Sequence, residues 1–342
     1  MYKQRFLLYQ YMISYKKIYI IGTLLFILFV LGFILISLKT MELFTDGGSG
    51  ARGVSTPNNG GGMKLFSPVH DVVAELDAAN NLTGGYDKPV IFHCYWDGEL
   101  NEKHIMSLRS CYLFNVRNRS SNRKIIIWTT NIKEGPLYDE AKEYAEIRLF
   151  DFTEEIQGTV MEKFDFSGVN RNPSFFSDVV RYTLLYKHGG CWFDLDVLVL
   201  RCFDPLFVHF EDEVVVYEWD DQQYPNGAIF ISLIPYSEKL AKNIEFIGQR
   251  NMGWGFQEAN LTFDLPLDYL VLPCSWFDPF WREDNPYNLT FKDFLKSSDR
   301  VFTMDTFNGA FAFHWHNQWG NLIEEHSPLE QLNAIIDDNM QQ

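Results

Sequence analysis

The chain has 342 residues, enough for one sizeable catalytic domain with an anchor or at most two small domains, and its formal charge is −16. Four basic residues and no acid among the first 17 leave −20 on the remainder, and a body so acidic argues against nucleic acid as a partner. The 30 Phe, 17 Tyr and 9 Trp allow a large core. The five cysteines (Cys94, Cys111, Cys191, Cys202, Cys274) have no CxxC spacing, which argues against a zinc site and leaves one or two disulfides open in an oxidising compartment.

In chain order, residues 1–17 read as a cytoplasmic tail carrying Lys3, Arg5, Lys16 and Lys17. Residues 18–38 hold no charge and are long enough to span the hydrocarbon core of a bilayer, so they read as a transmembrane signal anchor. The basic tail stays on the cytoplasmic side and sends the body across the membrane, a single-pass type II arrangement. Residues 39–65, rich in Gly, Ser, Pro and Asn, read as a flexible stem. Sequons at Asn81, Asn118, Asn260 and Asn288 fit a lumenal body.

The body, 66–342, alternates strands and helices, which predicts an α/β sheet with a mostly parallel core. Strands are expected at Val90–Trp96, Lys124–Thr130, Ile147–Phe150, Cys191–Leu200, Val214–Trp219 and Ala228–Ile231, with helices at Glu102–Phe114, Tyr138–Ala145 and Ser177–Lys187. The glycine pair Gly189-Gly190 stops the third helix. Beyond residue 250 the chain is aromatic and irregular, ending in a strand expected from Val301 to about His314.

The densest signal is SDVVRYTLLYKHGGCWFDLDVLVL, Ser177 to Leu200. Asp178 and Arg181 share a helix face. In an extended strand Asp194 and Asp196 point the same way, and two such carboxylates repel unless a cation such as Mg²⁺ or Mn²⁺ sits with them. Apolar strand, Asp-x-Asp, then Val-Leu is also compatible with the nucleophile segment of a haloacid-dehalogenase-type phosphatase, although the later Gly-Asp-x-x-x-Asp segment of that chemistry is missing.

The block Ser-Asp-x-x-Arg-Tyr, Leu-Tyr-x-x-Gly-Gly, Asp-x-Asp resembles the DXD sugar-binding region of GT-A glycosyltransferases, a group with yeast-type α-mannosyltransferases and α1,4-galactosyl- and α1,4-N-acetylglucosaminyltransferases. Ile91–Trp96 with the helix holding Ser107-Leu108-Arg109-Ser110, Lys124–Asn131, and Asn226-Gly227-Ala228 are similar to further segments of that family. Trp254-Gly255-Phe256-Gln257, Val271-Leu272-Pro273, Phe277-Asp278-Pro279 and His314-Trp315-His316-Asn317 look most like the α1,4 branch. Two departures stand out: Gln257 is followed by Glu258-Ala259 rather than Gly-Pro, and the closing motif has His-Trp-His-Asn where relatives more often have His-x-Trp-Asn.

The resemblance implies a Rossmann-like nucleotide-sugar-binding domain and a metal-dependent, retaining hexosyltransferase. It would take a UDP-sugar, with Mn²⁺ or Mg²⁺, and act on a glycolipid or glycoprotein in the Golgi lumen if the source is eukaryotic. Asp196 would ligate the metal directly, with Asp194 binding the donor and helping to hold the metal. Asp178 and Arg181 would grip the donor, against the alternative of a plain i,i+3 ion pair. Trp96 would stack on the base or simply fill core. Asn226 and Gly227 would approach the sugar or form a hairpin turn, and Gln257 would face the acceptor or the transferred sugar. His314 or His316 would be the third metal ligand. A carbohydrate-binding scaffold on a degenerate transferase fold is the competing function.

Overall fold

The computed structural model describes residues 63–64, 71–119, 122–166, 173–219, 224–250 and 267–342, all within one unit, Ser55–Gln342. The anchor expected over 18–38, nearly all of the stem, Asn260 and Gln257 lie outside the described residues. Among the described residues no helix is long and apolar enough to cross a membrane.

The expected α/β body is present. Strands β2 (Val90–Tyr95), β3 (Arg123–Thr129), β4 (Glu146–Leu149) and β5 (Gly190–Phe193) are mutually parallel in the order β5-β2-β3-β4. On the other side of β5 the sheet continues through β8 (Pro225–Ser232), the one reversed strand, to β7 (Val214–Glu218) and β9 (Leu270–Leu272). Met63–Lys64 (β1) then pairs parallel with Leu270–Val271, so the sheet reaches back into the last residues expected of the stem. Successive side chains in these strands fall on opposite faces: Ile125 and Ile127 belong to one buried cluster, Ile126 and Trp128 to another. Both faces are covered, as a parallel sheet requires.

Helix α1 (Val72–Asn81) precedes β2 and α2 (Glu102–Asn115) follows it; α3 (Pro136–Tyr144) follows β3, α4 (Phe152–Ile156) follows β4, α6 (Asp204–His209) precedes β7 and α7 (Glu238–Arg250) follows β8. The α2 helix is capped by Asn101, whose side chain accepts from the Lys103 and His104 amides while His104 Nδ1 accepts from the Asn101 N–H. On its buried side, Ser107 Oγ donates to the Val197 carbonyl at 2.7 Å and Ser110 Oγ accepts from the Val199 amide at 3.0 Å. Asn115 Oδ1 accepts from the Phe203 amide at 2.8 Å. One helix therefore latches the chain that leaves the Asp-x-Asp segment.

Two sequence expectations are corrected. Cys191–Leu200 is not one strand: β5 stops at Phe193, the Val197 amide turns back to the Asp194 carbonyl at 3.2 Å, and Val197–Val199 (β6) joins a separate two-stranded sheet. The residues flanking the two aspartates are all apolar and buried, so periodicity carries no sign of the turn. Likewise, Val301 to His314 is mostly not strand. Val301 is 80 % exposed, Met304–Phe307 forms a 3₁₀ turn, and only Ala312–His314 (β10) pairs, antiparallel to β6. Gly309 interrupts it at φ 97°, where an added Cβ would meet the Leu76 carbonyl. The five cysteines are free thiols, so the disulfides left open by the sequence do not form here.

The helix Pro173–His188 (α5) passes into β5 through Gly189 and Gly190, at φ 65° and 115°. A Cβ on Gly190 would overlap the Ile91 carbonyl oxygen of the neighbouring strand. Gly190→Ala is expected to cost about 3 kcal/mol or more in urea unfolding, whereas Gly85→Ala, whose Cβ meets nothing, should change stability by less than about 0.5 kcal/mol.

Candidate functional site

The open α/β sheet leaves a crevice at the carboxyl ends of its parallel strands, on either side of the point where the strand order reverses between β2 and β5. A cavity of about 840 Å³ occupies that position, lined by Tyr95 to Gly98 after β2, Thr130 after β3, Asp178 and Arg181 of α5, and Asp194 to Asp196 after β5. Phe150, Phe152 and Phe176 form an aromatic wall, and Asn317 and Trp319 approach from the C-terminal segment.

The turn at Asp194–Asp196 brings both carboxylates to this cavity by a different route from strand alternation. Asp194 is held from α5 and β5: Arg181 Nη2 donates to it at 3.1 Å and Trp192 Nε1 at 2.6 Å. Arg181 also lies 3.5 Å from Asp178 and stacks 5.0 Å over Trp192, so one buried guanidinium links the two sequence-predicted carboxylates. Burial raises the Asp194 carboxyl above its usual range, and Asp196 adds to this while Arg181 opposes it.

Asp196 is held from the other side. Its Oδ2 lies 3.1 Å from His314 Nε2 and accepts from the Asn317 amide at 2.6 Å, and its carbonyl accepts from the Trp315 amide at 3.0 Å. Burial alone would raise its pKa. The charge and hydrogen bond of His314, with the Asn317 N–H, overcome that and hold it at about 2. The same pairing raises His314 despite burial. His314 Nδ1 is 2.8 Å from the Tyr217 hydroxyl, which fixes the ring.

The two candidate histidines therefore part company. His314 meets Asp196. His316 turns to Asp278, with Nε2 at 2.5 Å from Oδ2, and burial and the neighbouring His314 lower its pKa. Asp278, His314 and His316 each offer a ligand atom within 4.8 Å of the others. Of these groups His314 also hydrogen-bonds Asp196, which lines the cavity with Asp194.

Trp96 lines the cavity half-buried, its Nε1 donating to the Glu99 carbonyl, and its ring lies 5.1 Å from that of Trp319. Asn226 and Gly227 are not in a hairpin turn. They lie inside β8, where Asn226 Oδ1 accepts from the Ala228 amide and the Ala228 carbonyl accepts from the Asp194 amide at 2.8 Å. They back the aspartate turn and do not line the cavity.

Sequence reasoning gave no site role to Asp97, Tyr217, Asp278 or Lys103. Asp97 is fixed by Thr129 Oγ1 and by the Thr130 amide and hydroxyl. Lys103 Nζ donates to the Gln318 and Asn321 carbonyls and ties down the loop that carries Trp319. Only Asp278 carried a signal, in the segment Phe277-Asp278-Pro279; the others depend on contacts between distant parts of the chain.

Residues 108–212 match the family model described as "Glycosyltransferase sugar-binding region containing DXD motif". No curated protein matches the chain. Among solved structures, mouse xyloside xylosyltransferase 1 in its apo form is 11 % identical, covers 69 % of this chain and 99 % of its own, and gives a TM-score of 0.43. Galactosyltransferase LgtC in complex with donor and acceptor sugar analogs is 11 % identical, with 72 % and 96 % covered and a TM-score of 0.41. The glycosyltransferase GlyE of Streptococcus pneumoniae TIGR4 is 12 % identical, with 75 % and 60 % covered and a TM-score of 0.42. By the sequence match, with Asp194 and Asp196 as its two aspartates, the chain carries the DXD-containing sugar-binding region and is a glycosyltransferase.

Proposed function

We propose that this glycosyltransferase is a GT-A, metal-dependent, retaining hexosyltransferase that moves a sugar from a UDP-sugar to a hydroxyl of a glycolipid or glycoprotein glycan. The observation that carries the reading is the charge of the cavity. Among the described residues it is lined by four carboxylates (Asp97, Asp178, Asp194, Asp196) and one guanidinium, Arg181. A diphosphate is itself anionic and is repelled from such a lining unless a cation intervenes.

The residues present fit a divalent cation. Carboxylate oxygens with one imidazole suit Mn²⁺. Asp196 Oδ2 and His314 Nε2 are 3.1 Å apart, and both would have to be deprotonated to hold the ion. Asp194, Asp196 and His314 would hold the ion; when bound, it neutralises charge on the departing diphosphate.

The protein's own groups supply orientation. Arg181 and Trp192 fix Asp194, while Tyr217 and the Asn317 amide fix the His314–Asp196 pair. The Phe150–Phe152–Phe176 wall offers ring faces to a nucleoside base, and the volume suits a nucleotide-sugar. Retention by same-face substitution is favoured because each lining carboxylate already pairs with a protein group: Asp97 with the threonines, Asp178 and Asp194 with Arg181, Asp196 with His314. Among the described residues no lining carboxylate stands unpaired as a nucleophile for double displacement. The apolar run 18–38 adds the inference of a type II membrane protein with a lumenal body, in the Golgi of a eukaryote.

The test is nucleoside diphosphate release from a panel of nucleotide-sugars, with and without Mn²⁺, by the full chain in detergent. One donor is expected to turn over only with metal, and Asp196→Asn should lower kcat by at least about 100-fold. Metal-independent turnover, or an active Asp196→Asn, would count against the site. Tyr217→Phe removes the hydroxyl that orients His314. It should weaken Mn²⁺ binding by about tenfold or more in calorimetric titration.

A further inference from the structure

The cation set Asp194, Asp196 and His314 makes no use of His316. Its surroundings are built for a polar ligand. Asp278 is fully buried, with one oxygen on His316 Nε2 at 2.5 Å and the other, Oδ1, without a hydrogen-bond partner among the described residues. A carboxylate only accepts, so Nε2 carries the proton and Nδ1 is the ring's acceptor. Among the described residues Nδ1 has no hydrogen-bond partner. The side chain is 10 % exposed.

Three aromatic rings flank it. Trp281 and Phe291 lie 4.6 Å from the imidazole, and Trp219 lies 5.3 Å away and stacks on Trp281 at 4.7 Å. Among the described residues Trp219 Nε1 is a buried donor without a partner. The neighbourhood thus offers partly exposed aromatic rings beside one unused acceptor, His316 Nδ1. That combination matches a sugar, whose C–H face packs on aromatic rings and whose hydroxyls both donate and accept.

Its position also fits. The His316 ring lies 4.1 Å from His314, which bonds Asp196. His316 and Asn317 both adopt φ 53°, an uncommon conformation for residues other than glycine. That turn sends the Asn317 amide to Asp196 and the His316 side chain to Asp278. An attacking hydroxyl must arrive beside the held diphosphate, and this turn joins the two places.

We propose that His316, oriented by Asp278 and flanked by Trp219, Trp281 and Phe291, forms the acceptor subsite, taking a terminal hexopyranoside of the glycan whose hydroxyl donates to His316 Nδ1. The proposal rests on the transferase reading and adds the acceptor side to it. Asp278 is a positioning residue here.

The test uses two replacements that separate the ring nitrogens. His316→Gln keeps a donor near Nε2 and deletes the Nδ1 acceptor, whereas His316→Asn puts an amide oxygen near Nδ1 and suits the left-handed backbone. Intrinsic tryptophan fluorescence of the full chain is titrated with methyl α- and β-glycosides of galactose, glucose, mannose and N-acetylglucosamine, and separately with UDP and Mn²⁺. The wild type is expected to bind at least one glycoside saturably. His316→Gln should weaken that binding by about tenfold and His316→Asn should recover most of it, with UDP affinity shifted less than about twofold in both. In the transfer reaction the same variants should raise the acceptor KM and not the donor KM. UDP binding with no glycoside binding by the wild type would sink the subsite and leave the transferase standing. Absence of UDP binding as well would sink the transferase reading. Loss of Mn²⁺ binding in His316→Gln would reassign Asp278, His314 and His316 to a cation and overturn the proposal. Equal losses in the Gln and Asn variants would reduce His316 to packing.

Discussion

The structure turns on the hold that residues 314–317 keep on Asp196. One imidazole and two backbone amides converge on this aspartate from a segment more than a hundred positions away in the chain. A buried carboxylate without such donors would be costly, and with them it becomes the junction of two cores. On one side lies the large sheet. On the other is the aromatic cluster around Phe280, Phe294, Phe307 and Phe313, which backs β10 and the C-terminal helix Pro328–Gln341 (α8). The β6–β10 pairing runs directly out of this junction.

The two aspartates are supported from different sources, and this explains their opposite pKa directions. Asp194 shares its cation with Asp178 and feels the charge of Asp196, so burial prevails and its pKa rises. Asp196 has a private imidazole and an amide, so burial is overcome. Neighbouring carboxylates whose environments pull them apart are a recurrent sign of assigned roles. Here the assignment comes from the turn: it faces Asp194 toward α5 and Asp196 toward the C-terminal segment.

Much of the sheet was legible because its strands are buried on both faces and read as apolar runs between clear breakers. The Ser177–Leu200 block was legible because helix, glycine pair and aspartates are contiguous. What stayed hidden was either uniform or distant. The break after Phe193 lies in a run whose apolar residues are all buried, so no periodicity reveals it. The choice between His314 and His316 depended on Tyr217 and Asp278, neither near the histidines in sequence. The helix Glu238–Arg250 and α8 were readable and went unread: α8 opens with Ser327 accepting from the Glu330 amide and a proline in its first turn.

The span between Asp196 and His314 has a kinetic meaning. Their contact closes a loop of 118 residues, and such closure loses chain entropy before its contacts repay it. The helix α2 and the β2–β3 pair are far more local and can organise early. Closing that loop therefore depends on contacts elsewhere in the fold that first bring the two segments near each other.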